Sequence, residues 1–233
     1  MLILEKVMAG NIITTNLCDR SDWHLDDCVN KVVIENMVKE DIAFIFATGK
    51  YYYEEFTKSI EYLNLKPYQQ VVPYLEDMAN ALAASDLVIG SAGAISLAEI
   101  TALGKPSIII PKAYTAENHQ EYNAKSIESK GAGIAILEKD LTPKTLNETV
   151  FRLLGDRELL IDMENASKKI GKPEAIDLIC DEIIKIYEEK NKVKKSNIED
   201  KNTDIKEDDE KESSVDNNND SKEQPKVIGI KKK

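Results

Sequence analysis

The stretch Asp86-Leu-Val-Ile-Gly-Ser-Ala-Gly-Ala-Ile-Ser-Leu-Ala-Glu-Ile-Thr-Ala-Leu-Gly-Lys-Pro-Ser-Ile-Ile-Ile-Pro111 decides how this chain is read. Its order is strand, glycine turn, helix, glycine stop, strand. Leu87 to Ile89 is an apolar run that suits a strand buried on both faces. Gly90 and Gly93 bracket only Ser91 and Ala92, so the backbone can turn sharply there and approach a ligand closely. Ala94 to Leu103 holds helix formers with apolar residues on one side. Gly104 then fits a helix stop, with Pro106 just beyond it. Ser107 to Ile110 reads as a second buried strand. Such a βαβ unit sets helix N-terminal N–H groups beside the carboxyl ends of parallel strands, where nucleotides sit in open α/β sheets.

Working outward, the alternation is regular from Asp41 onward. Ile42-Ala-Phe-Ile-Phe-Ala is a strand, Tyr51 to Leu63 a helix, Gln69-Gln-Val-Val-Pro73 a short strand, and Met78 to Ala84 a helix. After the central unit, Glu117 to Lys130 is a helix stopped by Gly131, and Ile134-Ala-Ile-Leu is the last strand. Thr142-Pro-Lys-Thr joins an N-cap to a proline at the first helical position. It opens a run of helices to about Tyr187, punctuated at Gly155 and Gly171. Strands alternating with helices imply one α/β domain, a parallel sheet with helices on both faces.

The two chain ends differ from this middle. Val29 to Val38 reads as an amphipathic helix and Ile12-Ile-Thr-Thr as a short strand. Between them, Asn16 to Cys28 lacks glycine and carries the single Trp, one of two His and two of three Cys. That break reads either as an ordinary variable loop or as a stretch of different origin. Residues 188–233 are dominated by Lys, Glu, Asp, Asn and Ser and cannot bury enough apolar surface to offset the entropy of ordering. A disordered, solvated tail is the expectation, because the interleaved acids oppose a role for its lysines at an anionic membrane.

Composition excludes several function classes. The formal net charge of −11 opposes nucleic-acid binding, which needs Lys and Arg clusters on a folded face. No run of about 18 apolar residues offers a transmembrane helix, and the N-terminus lacks signal-peptide order. Cys18, Cys28 and Cys180 are too few and scattered for a disulfide framework or a zinc site. A cytoplasmic setting follows as the expectation, with no metal and no cofactor. Serine-nucleophile, Walker-loop and paired-ligand motifs are absent, and His24 and His119 stand in no triad arrangement.

Two places look built to position a ligand. Glu99 lies on a helix otherwise small and apolar, just after Gly90-Ser-Ala-Gly93. Its carboxylate could accept hydrogen bonds from a vicinal diol such as a ribose, or could simply face solvent. Glu117-Asn-His-Gln-Glu-Tyr-Asn123 crowds amide, imidazole and carboxylate groups into one helix entry, which suits the hydroxyls of a sugar or an ordinary polar surface.

These residues also carry a resemblance. From about Asn30 to Tyr187 the chain resembles the C-terminal, donor-binding domain of the peptidoglycan N-acetylglucosaminyltransferases, family 28 glycosyltransferases of the GT-B fold. The motifs are Val72-Pro-Tyr-Leu-Glu-Asp-Met78, Ser85 to Ile100, Gly104 to Pro111 and Glu117-Asn-His-Gln-Glu-Tyr-Asn-Ala124. The resemblance implies a Rossmann-like doubly wound sheet, the donor half of a GT-B protein, over residues 29–187. It implies an inverting, metal-independent transfer of N-acetylglucosamine from UDP-N-acetylglucosamine to a lipid-linked acceptor at the inner face of the cell membrane. By resemblance, the Leu75 backbone meets the uracil, Ser91, Ala92, Gly93 and Ala94 face the diphosphate, Glu99 binds the ribose, and His119 and Gln120 contact the sugar. No catalytic residue is implied within this chain.

The chain departs from the pattern in three ways. Ser91 stands where the family usually has an arginine. Asp22-Trp-His-Leu-Asp-Asp27 stands where the family has a glycine-rich loop cradling the diphosphate. The acceptor-binding domain has no counterpart, so a partner subunit supplying it, an inactive fragment and a non-catalytic UDP-sugar-binding module remain alternatives.

Overall fold

The computed structural model describes residues 11–15, 29–113 and 118–204, with side chains for 29–113 and 118–192. Six strands form one sheet: β1 (Asn11–Thr15), β2 (Ala43–Ala47), β3 (Gln69–Val72), β4 (Leu87–Gly90), β5 (Ser107–Ile109) and β6 (Gly133–Ala135). Every neighbouring pair is parallel, in the order β3-β2-β1-β4-β5-β6. Chain order therefore reverses between β1 and β4, which opens a crevice at the carboxyl ends of those strands. The short strand expected at Ile12–Thr15 is the central one: Ile13 lies opposite Ile45 on one side and Val88 on the other.

The helices between the strands are α1 (Val29–Lys39), α2 (Tyr53–Ser59), α3 (Met78–Ala84), α4 (Ala94–Ala102) and α5 (His119–Ser129). After β6 come α6 (Pro143–Gly155), α7 (Arg157–Ile170) and α8 (Ala175–Asp204). Apolar period decides which faces are buried. In α6, Leu146, Val150 and Leu153 fall one turn apart and are fully buried. They share a core with Val33, Ile34 and Met37 of α1 and with Phe44 and Phe46 of β2. The Phe46 and Phe56 rings meet edge-on, 4.9 Å apart.

Local chemistry sets the helix ends. Thr142 accepts a hydrogen bond from the Thr145 N–H at 3.0 Å with Pro143 next to it, and Asp156 caps α7 in the same way through Leu159. Gly104 ends the α4 region in a left-handed conformation, φ 65°, as its sequence position predicts. The helix expected from Tyr51 to Leu63 is shorter, Tyr53–Ser59, and after it the Ile60, Glu61 and Leu63 N–H groups turn back to carbonyls three residues earlier, which ends the α-helical ladder.

The sheet with α1–α7 forms one compact unit ending at Ala175, and the chain from Ile176 is a second. Helix α8 continues to Asp204, past Glu188, where composition predicts a loss of order. Lys and Glu are good helix formers needing no apolar partner, and pairs such as Glu182 with Lys185 add support. Residues 205–233 and the Asp22–Asp27 stretch lie outside the described residues. No described helix is long and apolar enough to cross a membrane.

The junction after α7 supplies a stability prediction. A Cβ on Gly171 would lie 2.1 Å from the Thr101 carbonyl oxygen, and that obstacle is backbone, which cannot swing aside. Gly171→Ala should cost about 2 kcal/mol, within the range for overpacking. The expected reading is a lower urea midpoint at unchanged slope.

Candidate functional site

β4 is buried along its length and delivers Gly90 to the crevice. Ser91 follows half-buried, Ala92 fully buried, and Gly93 is the N-cap of α4. A glycine cap offers no side-chain acceptor, and no acidic residue lies in the first turn of α4. The first-turn N–H groups are therefore left for an outside acceptor, and the aligned peptide dipoles favour an anion there.

Glu99 lies one turn along from Ser96 on α4. Both line a cleft of about 40 Å³ with Gly90, Ser91, Met78 and Leu82, between α3 and α4. Glu99 is thus exposed and also lines the cleft at the end of β4. A larger groove of about 380 Å³ lies on the other side of α4, against α5, where Ala94, Leu97 and Thr101 face Asn123 and Ile127.

Leu75 sits half-buried in the loop that carries the chain from β3 to α3. No hydrogen bond among the described residues engages its main chain. Next to it, the Lys50 ammonium lies 5.8 Å from the centre of the Tyr74 ring. Asp77 closes the loop by accepting from the Asn80 N–H at 3.3 Å.

The entry to α5 is unusual. Asn118 adopts a left-handed conformation, φ 55°, and its side chain makes no capping bond. His119 and Gln120 follow at once. The Gln120 Oε1 accepts from the Lys112 N–H at 3.0 Å, just beyond β5. Asn123, one turn further on, donates its Nδ2 to the Ala92 carbonyl at 3.1 Å. Glu121 is held below the usual carboxylate range by its hydrogen bond to the Lys125 ammonium, so it is already engaged.

The structure therefore brings Ser91 and Glu99 into one cleft and sets Ala92 and Gly93 in the turn above it. It puts Ala94 on the α5 side of α4. Leu75, His119 and Gln120 line neither the cleft nor the groove, and Glu117 lies outside the described residues. Sequence reading missed Asn123 as a tie to this turn. Its signal was the amide-rich segment in which it stands, but its partner is a main-chain oxygen 31 residues away. Among the described residues no three His, Cys, Asp or Glu side chains are grouped to hold a metal ion.

An open parallel sheet with a ligand crevice at its reversal point is the architecture of the donor-binding halves of GT-B glycosyltransferases. The chain belongs to glycosyltransferase family 28: residues 23–179 match the family's C-terminal domain. It is 83% identical over 157 residues to the UDP-N-acetylglucosamine–N-acetylmuramyl-(pentapeptide) pyrophosphoryl-undecaprenol N-acetylglucosamine transferase of Clostridioides difficile. That match covers 67% of this chain and 38% of the relative. The enzyme of the same name from Finegoldia magna is 44% identical over 163 residues, covering 69% of this chain and 43% of the relative. The crystal structure of Acinetobacter baumannii MurG superimposes with a TM-score of 0.60 at 24% identity, covering 76% of this chain and 52% of that one. The chain thus spans well under half the length of these two curated relatives.

Ser91 allows a direct test of the electrostatics. An arginine at this half-buried position would place a cation beside the α4 N-terminus. Ser91→Arg should tighten binding of an anion such as inorganic pyrophosphate about 10-fold, the scale of one charge-assisted hydrogen bond. Calorimetric titration with pyrophosphate checks it.

Proposed function

We propose that this chain binds UDP-N-acetylglucosamine as the donor side of an inverting N-acetylglucosaminyltransferase of peptidoglycan synthesis, the lipid I to lipid II step. The observation that carries the reading is the juxtaposition of Ser91, Glu99 and the uncapped start of α4 at the end of β4. A nucleoside diphosphate needs those features: N–H donors for the phosphates and a carboxylate for the ribose diol. The main chain of Leu75 has both a donor and an acceptor to offer a uracil edge. Residues 29–187 are the working unit in this reading, with β1 contributed by the stretch before it.

In an inverting transfer, a base deprotonates the acceptor hydroxyl. The resulting oxygen attacks the anomeric carbon in line, and UDP leaves with the electron pair of the glycosidic bond. The part assigned to this chain is to hold the donor and to stabilise charge growing on the departing diphosphate at the N-terminus of α4. The base and the acceptor site belong, in this reading, to a second domain or partner subunit at the cytoplasmic face of the membrane. A second reading is a UDP-sugar-binding module without turnover.

Calorimetric titration with UDP-N-acetylglucosamine tests the donor site. The wild-type chain should bind, and Glu99→Ala should bind at least about 10-fold more weakly, having lost two hydroxyl hydrogen bonds. Absence of heat from the wild type overturns the reading. Binding without turnover, with turnover restored by an added acceptor-binding partner, separates a split transferase from a binding module.

A further inference from the structure

We propose that Asn123 is a positioning residue for sugar recognition, coupling the hexose end of the donor site to its diphosphate end. The proposal rests on the reading of α5 as the element that meets the hexose. Three observations carry it. The Asn123 amide nitrogen donates 3.1 Å to the carbonyl oxygen of Ala92, a residue with no exposed surface in the turn between β4 and α4. A carbonyl only accepts, so the amide orientation is fixed chemically. Asn123 also lies three and four residues after Gln120 and His119, on the same face of α5.

The second observation is the absence of a cap. Asn118 enters α5 from a left-handed conformation and makes no side-chain capping bond. Two side-chain ties join the first turns of α5 to the sheet region. Those ties are Asn123 to the β4 turn and Gln120 to the loop after β5.

The third concerns Gln120 itself. Its Oε1 is occupied by the Lys112 N–H, 3.0 Å away, and a backbone donor again fixes which end of the amide that is. The Nε2 end, a two-proton donor, makes no bond among the described residues. In the reading of α5 as the hexose-facing element, it is the group that would meet an accepting oxygen on the sugar. Asn123 decides whether that donor is in register with a diphosphate held at Ser91–Ala94, because it pins α5 to the main chain between them.

The consequence is selective. Losing the Asn123 bond should leave the nucleotide end intact while α5 drifts relative to the turn. The test compares UDP with UDP-N-acetylglucosamine by calorimetry on the full chain. In the wild type the sugar should add affinity over UDP. In Asn123→Leu, similar in shape without a donor, UDP affinity should stay within about twofold, while UDP-N-acetylglucosamine falls about 10-fold, to the level of UDP. Asn123→Gln, which keeps a donor, should recover at least half of the sugar's contribution. A thermal melt checks folding, and if Asn123→Leu does not fold, Asn123→Ala is read in the same way.

Equal weakening of both ligands, or of neither, overturns the coupling. A wild-type chain that binds UDP and UDP-N-acetylglucosamine equally overturns the role of α5 and the coupling with it. A wild-type chain that binds neither overturns the donor reading itself.

Discussion

The structure depends on the double pairing of β1. Asn11–Thr15 pairs in parallel with β2 along all five residues on one side, and Ile12–Thr14 pairs with β4 on the other. Backbone N–H and C=O groups in a sheet interior must find partners, and a parallel strand cannot be reached by a tight turn. The chain must leave β1 in one direction to build β2 and β3. It must later return on the far side to build β4, β5 and β6. The reversal this forces is the crevice, and the ends of β4 and β1 are its floor.

On that floor the groups presented are mostly main chain. Buried β4 brings Gly90 to the surface, and the turn through Ser91, Ala92 and Gly93 starts a helix with an uncapped first turn. Glu99 adds one carboxylate on the cleft side of α4, and Ser91 adds a hydroxyl. Helix α5 is joined to the same turn by the Asn123 side-chain amide, which donates to the main-chain carbonyl of Ala92.

Much of this was legible beforehand. The alternation of apolar runs with helix formers follows from burial, and it gave the parallel sheet, the β4-turn-α4-β5 unit and the stops at Gly104 and Gly131. The cap at Thr142 follows from local hydrogen bonding within three residues. What periodicity could not give was rank among strands. Asn11–Thr15 is short and sits beside an odd stretch, yet it is the centre of the sheet, since strand order is set by crossovers and not by any local signal. Helix α8 exceeded the expected limit because helix propensity needs no buried face.

The sequence alone determined the class of fold, the family resemblance and the residues where a donor nucleotide would be sought. Those depend on local pattern and on motifs read in order. Tertiary structure alone decided that Ser91 and Glu99 share one cleft, that Ala94 turns to the other side of α4, and that Asn123 holds the Ala92 carbonyl. Each is a contact between elements, fixed by how helices pack on the sheet. Nothing in a neighbouring residue encodes it.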